Sequence, residues 1–398
     1  MKQARAPAFV TVFAAAAVVA LAGCAGGGAV SSAIDTINPM NWGASPAPQM
    51  APLPELTSPI AVKTLWQANI GNSQQSIFIP AVTSDGLYAA AADGTIVRLD
   101  AGSGKQVWRI NAGERLTGGV GADRERLLVA SAKGDVLAFG VNGAPLWKAQ
   151  ISSEVLSAPQ VAGNVVVVRS ADGRIFGLDA KDGKRKWYYQ RATPALTVRS
   201  PAGISIAKNV VYAGFAGGKL VAINLDNGSV RWEATVALPR GTTELERVTD
   251  VIGLPVVTQR EVCAVAYQGR IGCFDLANGQ TIWGRDMSST SGLSMDARTV
   301  FASDDAGAVH ALDRVGGNSL WKQDKLRLRS LSAPLSLGRE IAVADVQGYV
   351  HFLNRDSGAF VGRVATDGSA VSADPVLLTE GGFLIQTRKG GLYAFSAQ

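Results

Sequence analysis

The sequence is poor in the residues on which most catalytic and metal sites depend. Its 398 residues include only 2 His and 3 Cys, and no two Cys are adjacent. His310 and His351 occupy equivalent strand positions in a repeat described below, so we expect them to fill the strand or the core. A His-based metal site or catalytic triad has almost no side chains available. The sequence also lacks a phosphate-binding P-loop and a dinucleotide-binding glycine fingerprint.

Charge is scarce and evenly mixed. Charged residues make up 18% of the chain, the formal net charge is +6, and no block of like charges occurs. This balance does not predict nucleic acid or an anionic membrane surface as a partner. With 45 Gly and so little charge, the chain is not a coiled coil. Its 47% of hydrophobic residues argues against disorder for most of its length.

The first 23 residues have the features of a signal peptide. Lys2 and Arg5 form a short basic region, and an apolar run from Phe9 to Leu21 follows. This run is too short to span a membrane comfortably, and small residues follow it, as at a cleavage site. We therefore expect residues 1–23 to be removed from the mature protein.

The next residues predict a lipid anchor and a tether. Leu21-Ala22-Gly23-Cys24 resembles the bacterial lipobox, which implies lipidation of Cys24 and attachment to a membrane rather than a span. The alternative is an ordinary signal peptide with an incidental Cys. Ala25, rather than Asp, follows the Cys, which favours the outer membrane. Residues 24–58 are rich in Gly, Ser, Ala and Pro, so we expect a flexible tether.

From residue 59 onward, one pattern of about 42 residues recurs eight times. In six copies a turn Gly is followed by a second Gly ten residues later and by the Trp position four residues after that, as in Gly94, Gly104 and Trp108. The runs between them have strand length and strand composition. The first Gly predicts a two-residue hairpin turn, and Asp or Asn after the third strand predicts a second turn. Each unit is thus a four-stranded antiparallel meander that buries both faces only by stacking on its neighbours.

The two chain ends predict how the stack closes. The last copy, with its turn at Gly390, stops before its Trp strand, whereas Trp66 lies in an N-terminal strand with no blade of its own before it. The N-terminal strand is therefore expected to complete the last blade. We predict an all-β fold over residues 59–398, an eight-bladed β-propeller of four-stranded antiparallel blades. In the seventh copy, Gly362 stands where Trp is expected.

Repeats of the form Gly-x-Leu-x-Ala-Leu-Asp-x-x-x-Gly-x-x-x-Trp resemble the quinoprotein (PQQ-type) propeller repeat. Combined with a lipobox and a bare eight-blade ring, they resemble the BamB family, a lipoprotein component of the machinery that assembles outer-membrane β-barrels. This resemblance implies a non-catalytic scaffold without cofactor or metal, anchored at the periplasmic face of the outer membrane. It implies docking on the POTRA domains of a BamA-like barrel insertase, with unfolded outer-membrane proteins as a further candidate partner.

Two other functions stay open. A PQQ-dependent, quinoprotein dehydrogenase-like enzyme would use the same ring to hold the quinone and Ca²⁺, which needs six to eight converging oxygen ligands. The long insertions that build the substrate chamber of those enzymes are missing here, as is their frequent vicinal Cys pair. The other alternative is a propeller that binds the cell wall.

Two long connections mark the predicted interaction surface. Successive turn glycines are 45 and 51 residues apart there, against 38–42 elsewhere. The extra residues place loops around 191–201 and 236–252 side by side on one face, although insertion alone is also compatible with neutral drift. The first loop combines Leu196 and Val198 with Arg199, which suits an interface anchor. The alternative is that both aliphatic side chains pack into the blade.

The family resemblance assigns roles to these residues. It implies that a Leu-x-Leu-Arg segment in the first loop contacts the POTRA domains; Leu196 and Arg199 match it, and Val198 replaces the second Leu. In the second loop Asp250 matches an acidic loop of the family, and Ile252 stands where a second Asp is expected. We therefore predict partner binding by Leu196, Val198, Arg199 and Asp250.

Cys263 and Cys273 lie on the two strands of one hairpin that turns at Gln268-Gly269. An oxidising periplasm permits a disulfide. A two-residue turn, however, would pair Cys263 with Phe274 and send Cys273 to the opposite face, whereas a bulged turn would bring the two Cys opposite each other. Two free, buried thiols are the favoured expectation.

Overall fold

The computed structural model describes residues 49–56, 58–379 and 381–397, in which every regular element is a β-strand. The strands form eight sheets, each one blade of a propeller. No helix in these ranges is long and apolar enough to cross a membrane. The predicted signal peptide, the lipidation site Cys24 and tether residues 24–48 lie outside the described residues.

The strands of blades 1 to 4 follow one another in chain order. Blade 1 contains β2 (Ala81–Thr83), β3 (Gly86–Ala90), β4 (Thr95–Leu99) and β5 (Gln106–Asn111). Blade 2 contains β6 (Gly121–Ala122), β7 (Arg126–Ala130), β8 (Asp135–Gly140) and β9 (Pro145–Gln150). Blade 3 contains β10 (Gln160–Ala162), β11 (Val165–Arg169), β12 (Ile175–Asp179) and β13 (Arg185–Tyr189). Blade 4 contains β14 (Ile204–Ala207), β15 (Val210–Phe215), β16 (Lys219–Asn224) and β17 (Val230–Thr235).

Blade 5 has one extra short strand, and blade 8 takes its outer strand from the start of the chain. Blade 5 contains β18 (Asp250–Val251), β19 (Val256–Val257), β20 (Glu261–Tyr267), β21 (Arg270–Asp275) and β22 (Thr281–Asp286). Blade 6 contains β23 (Gly292–Met295), β24 (Thr299–Ser303), β25 (Val309–Asp313) and β26 (Ser319–Gln323). Blade 7 contains β27 (Leu335–Ser336), β28 (Glu340–Ala344), β29 (Tyr349–Asn354) and β30 (Phe360–Ala365). Blade 8 contains β31 (Val376–Leu377), β32 (Phe383–Gln386), β33 (Gly391–Ala397) and β1 (Val62–Asn69).

The ring closes by pairing the two ends of the chain. β1 runs antiparallel to β33, with Trp66 opposite Ala394, and β31 lies against β2 of blade 1. The eight-bladed propeller and its closure by the N-terminal strand are therefore confirmed. Closure pairs the edge of β33 with β1 and gives blades 1 and 8 a neighbour on both faces.

The hydrophobic core is divided among the blade interfaces, with one buried cluster between each pair of neighbours. At the outer end of seven of the eight interfaces, a Trp of one blade lies against the turn between the third and fourth strands of the next blade, which is its second turn. The exception is the interface between blades 7 and 8. Trp66 illustrates this arrangement, because its indole N–H donates to the carbonyl of Ala101 at 2.9 Å. The other six described Trp residues do the same with their own neighbours: Trp108, Trp147, Trp187, Trp232, Trp283 and Trp321.

The first turn of each unit is wider than the sequence predicted. In blade 1 the amide of Ala91 bonds to the carbonyl of Thr95, and Gly94 bonds back to Ala91, so three residues rather than two form the loop. Gly94 has φ +93°, as in a type I turn followed by a residue in the left-handed region. The prediction of two-residue turns is wrong. Positive φ at the Gly is observed in every blade except blade 5, where Gln268, with φ +47°, takes that conformation instead of Gly269.

The same register corrects the expectation for the cysteines. In blade 5 the extra turn residue places Cys263 directly opposite Cys273, with Cα atoms 4.0 Å apart, and the two form a disulfide. The expectation of two free thiols is therefore wrong, and the bulged-turn alternative is the one observed. Both residues are fully buried. Adding one residue to a turn shifts the pairing by one position and moves a side chain to the other face.

A short segment before β1 is also packed against the propeller. The amide of Ala51 donates to Arg327, and the buried guanidinium of Arg329 donates to the carbonyl of Ala51 at 2.7 Å. Arg363 donates to the carbonyl of Pro54 at 2.9 Å. The part of the predicted tether that the structure describes is thus held on blade 7.

Candidate docking surface

The connections between blades share one face of the ring with the turns between the second and third strands. After β9 the amide of Ile151 donates to the carbonyl of Gly134, and after β17 that of Val236 donates to Gly218. We term this the upper face. The two long loops predicted from the repeat spacing lie on it, one on either side of blade 4.

Asp250 joins the two long loops. It begins β18, which pairs with β20 so that Asp250 lies opposite Tyr267. Its carboxylate accepts the amide of Val198 at 2.7 Å and the amide of Gly217 at 3.2 Å. Only 3% of Asp250 is exposed. The carboxylate therefore holds the first loop against blades 4 and 5 instead of facing solvent.

Arg199 lies on the exposed side of the same loop. Its guanidinium forms a two-pronged ion pair with Glu154, with Nε to Oε1 at 3.1 Å and Nη2 to Oε2 at 2.9 Å. The hydrogen bond that Arg199 donates to the Glu154 carboxylate raises the pKa of Arg199. The Arg199 side chain is still 63% exposed. Paired guanidinium and carboxylate planes fix direction as well as charge, so the cation is oriented yet accessible.

A cavity of about 440 Å³ lies beneath the first loop. Its lining includes Arg169, Phe215 and Asp250 together with Glu154 and Arg199. The Arg169 guanidinium lies 5.0 Å from the centre of the Phe215 ring and donates to the carbonyl of Gly214 at 2.5 Å. Burial lowers the pKa of Arg169 to about 10, and the charge of Asp250 opposes that shift. The loop thus covers a charged hollow and is not packed solidly into the blade.

The second long loop is closed by its own hydrogen bonds. Thr243 and Glu246 bond reciprocally, each side chain accepting the amide of the other residue, as at the start of a helix. Glu246 also accepts the amide of Thr242 at 2.8 Å. The hydrogen bonds from the Thr242 and Thr243 amides lower the pKa of Glu246. The Glu246 carboxylate therefore stabilises the loop by accepting hydrogen bonds from its backbone amides.

The four predicted partner-binding residues are brought together but are not equivalent. Leu196 is 43% exposed and Arg199 is accessible, whereas Val198 is half-buried and Asp250 is buried. Glu154 was not predicted. It gives no signal in the sequence because it lies in a connection of ordinary length, and only the packing of the loops brings it to Arg199.

The donor set does not fit a quinone–calcium site. The Asp residues after the third strands are occupied by their own turns, as at Asp100, whose carboxylate accepts the amide of Ser103 at 2.8 Å. Across the described ranges, no three His, Cys, Asp or Glu side chains converge as metal ligands would. His310 and His351 lie in strands, and each ring Nε2 contacts an Asp of its own hairpin, Asp304 or Asp345.

Comparison with known proteins gives a consistent result. A family model described as "Outer membrane protein assembly factor BamB" matches residues 92–323 and 306–398. The BamB protein of Nitrosomonas eutropha is 42% identical over 338 residues, covering 85% of this chain and 82% of the relative. That of Bordetella pertussis is 43% identical over 343 residues, covering 86% and 89%.

Solved structures agree with this match. The crystal structure of BamB from Moraxella catarrhalis superposes with a TM-score of 0.78 at 28% identity, covering 84% of this chain and all of that one. A quinohemoprotein alcohol dehydrogenase from Comamonas testosteroni reaches a TM-score of 0.68 at only 13% identity, covering 84% of this chain and 76% of that one, so it shows a shared fold alone. The matches in sequence and structure together show that the chain belongs to the BamB family of outer membrane protein assembly factors.

Proposed function

We propose that the protein is a non-catalytic scaffold lipoprotein of the β-barrel assembly machinery. In this proposal Cys24 carries the lipid anchor, and the propeller lies at the periplasmic face of the outer membrane. Leu196, Val198 and Arg199 dock on the POTRA domains of the BamA-like insertase, while Asp250 holds their loop in place. Unfolded outer-membrane proteins are a second partner in this proposal, and exposed strand edges suit them because an extended segment can add to a free edge.

One observation supports the docking site above the others. Arg199 is exposed and already oriented, because Glu154 fixes its guanidinium and Asp250 fixes the backbone of the residue before it. A cation held in position loses little conformational freedom when it binds, which favours affinity. A partner surface with a carboxylate would complement it.

The experiment is a pull-down from detergent-solubilised membranes with the full-length protein as bait. We expect recovery of the insertase with the unchanged protein and its loss with Arg199→Glu. Asp250→Ala is expected to weaken recovery as well, because the amide of Val198 then loses its bond to blade 5. Lys184→Glu is the matched control. It also reverses the charge of an exposed side chain, but it lies in the second turn of blade 3, between β12 and β13, so this variant should recover the insertase normally. Unchanged recovery with Arg199→Glu would remove the docking site.

A second assay separates the scaffold from the quinoprotein alternative. The purified protein is incubated with PQQ and Ca²⁺, and bound chromophore and dye reduction are measured. We expect neither, because the Asp side chains of the repeats are engaged in turns. A stoichiometric chromophore with substrate-dependent dye reduction would contradict the scaffold proposal.

A further inference from the structure

Exposed apolar side chains on the upper face are concentrated in the two long loops, 191–201 and 236–252. Among the described residues, four large apolar side chains in upper-face loops are exposed, and three belong to the two long connections: Leu196, Leu238 and Leu245. Leu328 is the fourth. Leu245 at 72% and Leu238 at 65% are the most exposed of the set. Clustered exposed leucines mark an interaction surface more reliably than single ones do.

The second long loop carries Leu238 and Leu245, and its residues 242–248 are joined by their own hydrogen bonds. Besides the reciprocal Thr243–Glu246 bonds, the amide of Arg247 donates to Thr243 and that of Val248 to Leu245. The loop therefore satisfies its polar groups internally and turns its leucines outward. An ordinary solvated loop exposes its polar groups to water and buries its apolar side chains.

Blade 5 supports the loop from below. Gln268 lies at the apex of the disulfide-linked hairpin, and its side-chain amide, oriented to donate, lies 3.1–3.2 Å from the carbonyl oxygens of Glu246, Val248 and Leu245. The Cys263–Cys273 bridge joins the same hairpin five residues from that apex on each strand. A leucine on a supported loop gives up little freedom on binding, as required of an interface anchor.

The second long loop (236–252) is joined to the first (191–201) through Asp250. Val248 is two residues before Asp250, whose carboxylate holds the amide of Val198. The backbone of the first loop is therefore tied to the end of the loop that carries Leu238 and Leu245. Two exposed leucines beside this anchored loop suit a protein partner that offers an apolar pocket.

We infer that Leu245, assisted by Leu238, is an apolar anchor that inserts into a hydrophobic pocket on the periplasmic part of the barrel insertase. This inference rests on the proposed function, because it assigns the same partner. It adds a contact that supplies affinity through burial, whereas the Arg199 contact supplies orientation.

The test measures the affinity of the full-length lipoprotein in detergent for the purified insertase, by biolayer interferometry. We expect Leu245→Asp to weaken binding by about 30-fold or more, the size of an interface hot spot. Leu245→Ala should weaken it less. Val315→Asp is the matched control, because Val315 is 82% exposed and lies in the second turn of blade 6, between β25 and β26, on the opposite face of the ring. This variant should bind normally. Circular dichroism melting of each variant confirms folding, which is expected to persist because both positions are exposed.

The outcomes distinguish the two proposals. Normal binding by Leu245→Asp with loss of binding by Arg199→Glu would overturn the leucine anchor and leave the docking site standing. Weakened binding by Leu245→Asp with normal binding by Arg199→Glu would support the anchor and overturn the docking role of Arg199. Normal binding by both variants would overturn both, and equal weakening by Val315→Asp would overturn the anchor by showing that any added charge suffices.

Discussion

Trp232 lies flat against Gly279, the second turn glycine of the next blade. A Cβ atom on Gly279 would be 2.6 Å from Cε3 of the indole, and Gly279 has φ +73°. The same indole donates its N–H to the carbonyl of Leu276 at 3.1 Å. The Trp and Gly that recur four residues apart in the sequence therefore do not meet within one blade. They meet across the boundary between blades.

This contact predicts that Gly279→Ala is strongly destabilising. The methyl group would overlap the indole, which costs about 1–3 kcal/mol, in addition to about 1 kcal/mol for a left-handed backbone with a side chain. Gly163→Ala is the matched control, because Gly163 has φ +56° and no atom within 4 Å of its Cβ position. Urea midpoints of both variants measure the difference. Equal losses would show that the indole contact contributes nothing.

Replacing Gly362 with the Trp that the repeat has at this position is expected to destabilise the fold. A Cβ there would lie 3.2 Å from Ile60 Cγ1 and 3.2 Å from Val62 Cγ2, at the start of the closing strand. Blade 8 has no second turn for a Trp to cover, because its last two strands are the two chain ends. Gly362→Trp should therefore lower stability by about 1–3 kcal/mol through overpacking. Gly362→Ala should cost less in the same thermal melts, and a Trp variant as stable as the parent would refute this explanation.

The disulfide in blade 5 is expected to stabilise the protein. Cys263 and Cys273 are 10 residues apart, and closing a loop of that length in the unfolded chain contributes about 3 kcal/mol. The double variant Cys263→Ala/Cys273→Ala should unfold at a lower urea concentration, with the parent in dithiothreitol shifting the same way. Thiol titration of the denatured, unreduced mature protein checks the bridge directly. Two reactive thiols from these residues would contradict it.

Asp374 gives the stability a specific pH dependence. It precedes β31, accepts only the amide of Ala333 at 3.3 Å among the described residues, and burial raises its pKa from 3.8 to about 6. The folded protein therefore holds this proton more tightly than the unfolded chain does, so stability is lost as the pH rises from about 4 to about 6.

Asp374→Asn should remove that loss. We expect the variant to be more stable than the parent above pH 6, by at most about 3 kcal/mol, and nearly equal to it at pH 3.5. Thermal melts at the two pH values give the comparison. A variant that is less stable at both would show that the carboxylate has a favourable partner in the folded protein.

The repeat could be recognised from the sequence because the residues that define it lie close together along the chain. Gly residues that need positive φ, strand-length apolar runs and the Trp position recur at fixed spacing, and together they predicted eight blades and closure by the strand of Trp66. The pairing of Cys263 was not predictable in the same way. It depends on whether a turn has two or three residues, and the Gln268-Gly269 pair is compatible with both.

The amino-acid sequence by itself determined the blade number, the way in which the ring closes and the position of the two long loops, because each of these follows from spacing along the chain. Only the tertiary structure decided that Asp250 supports Val198 from a buried position and that Glu154 orients Arg199. These pairs are separated by 52 and 45 residues. Such contacts depend on how neighbouring blades pack, and no local pattern encodes them.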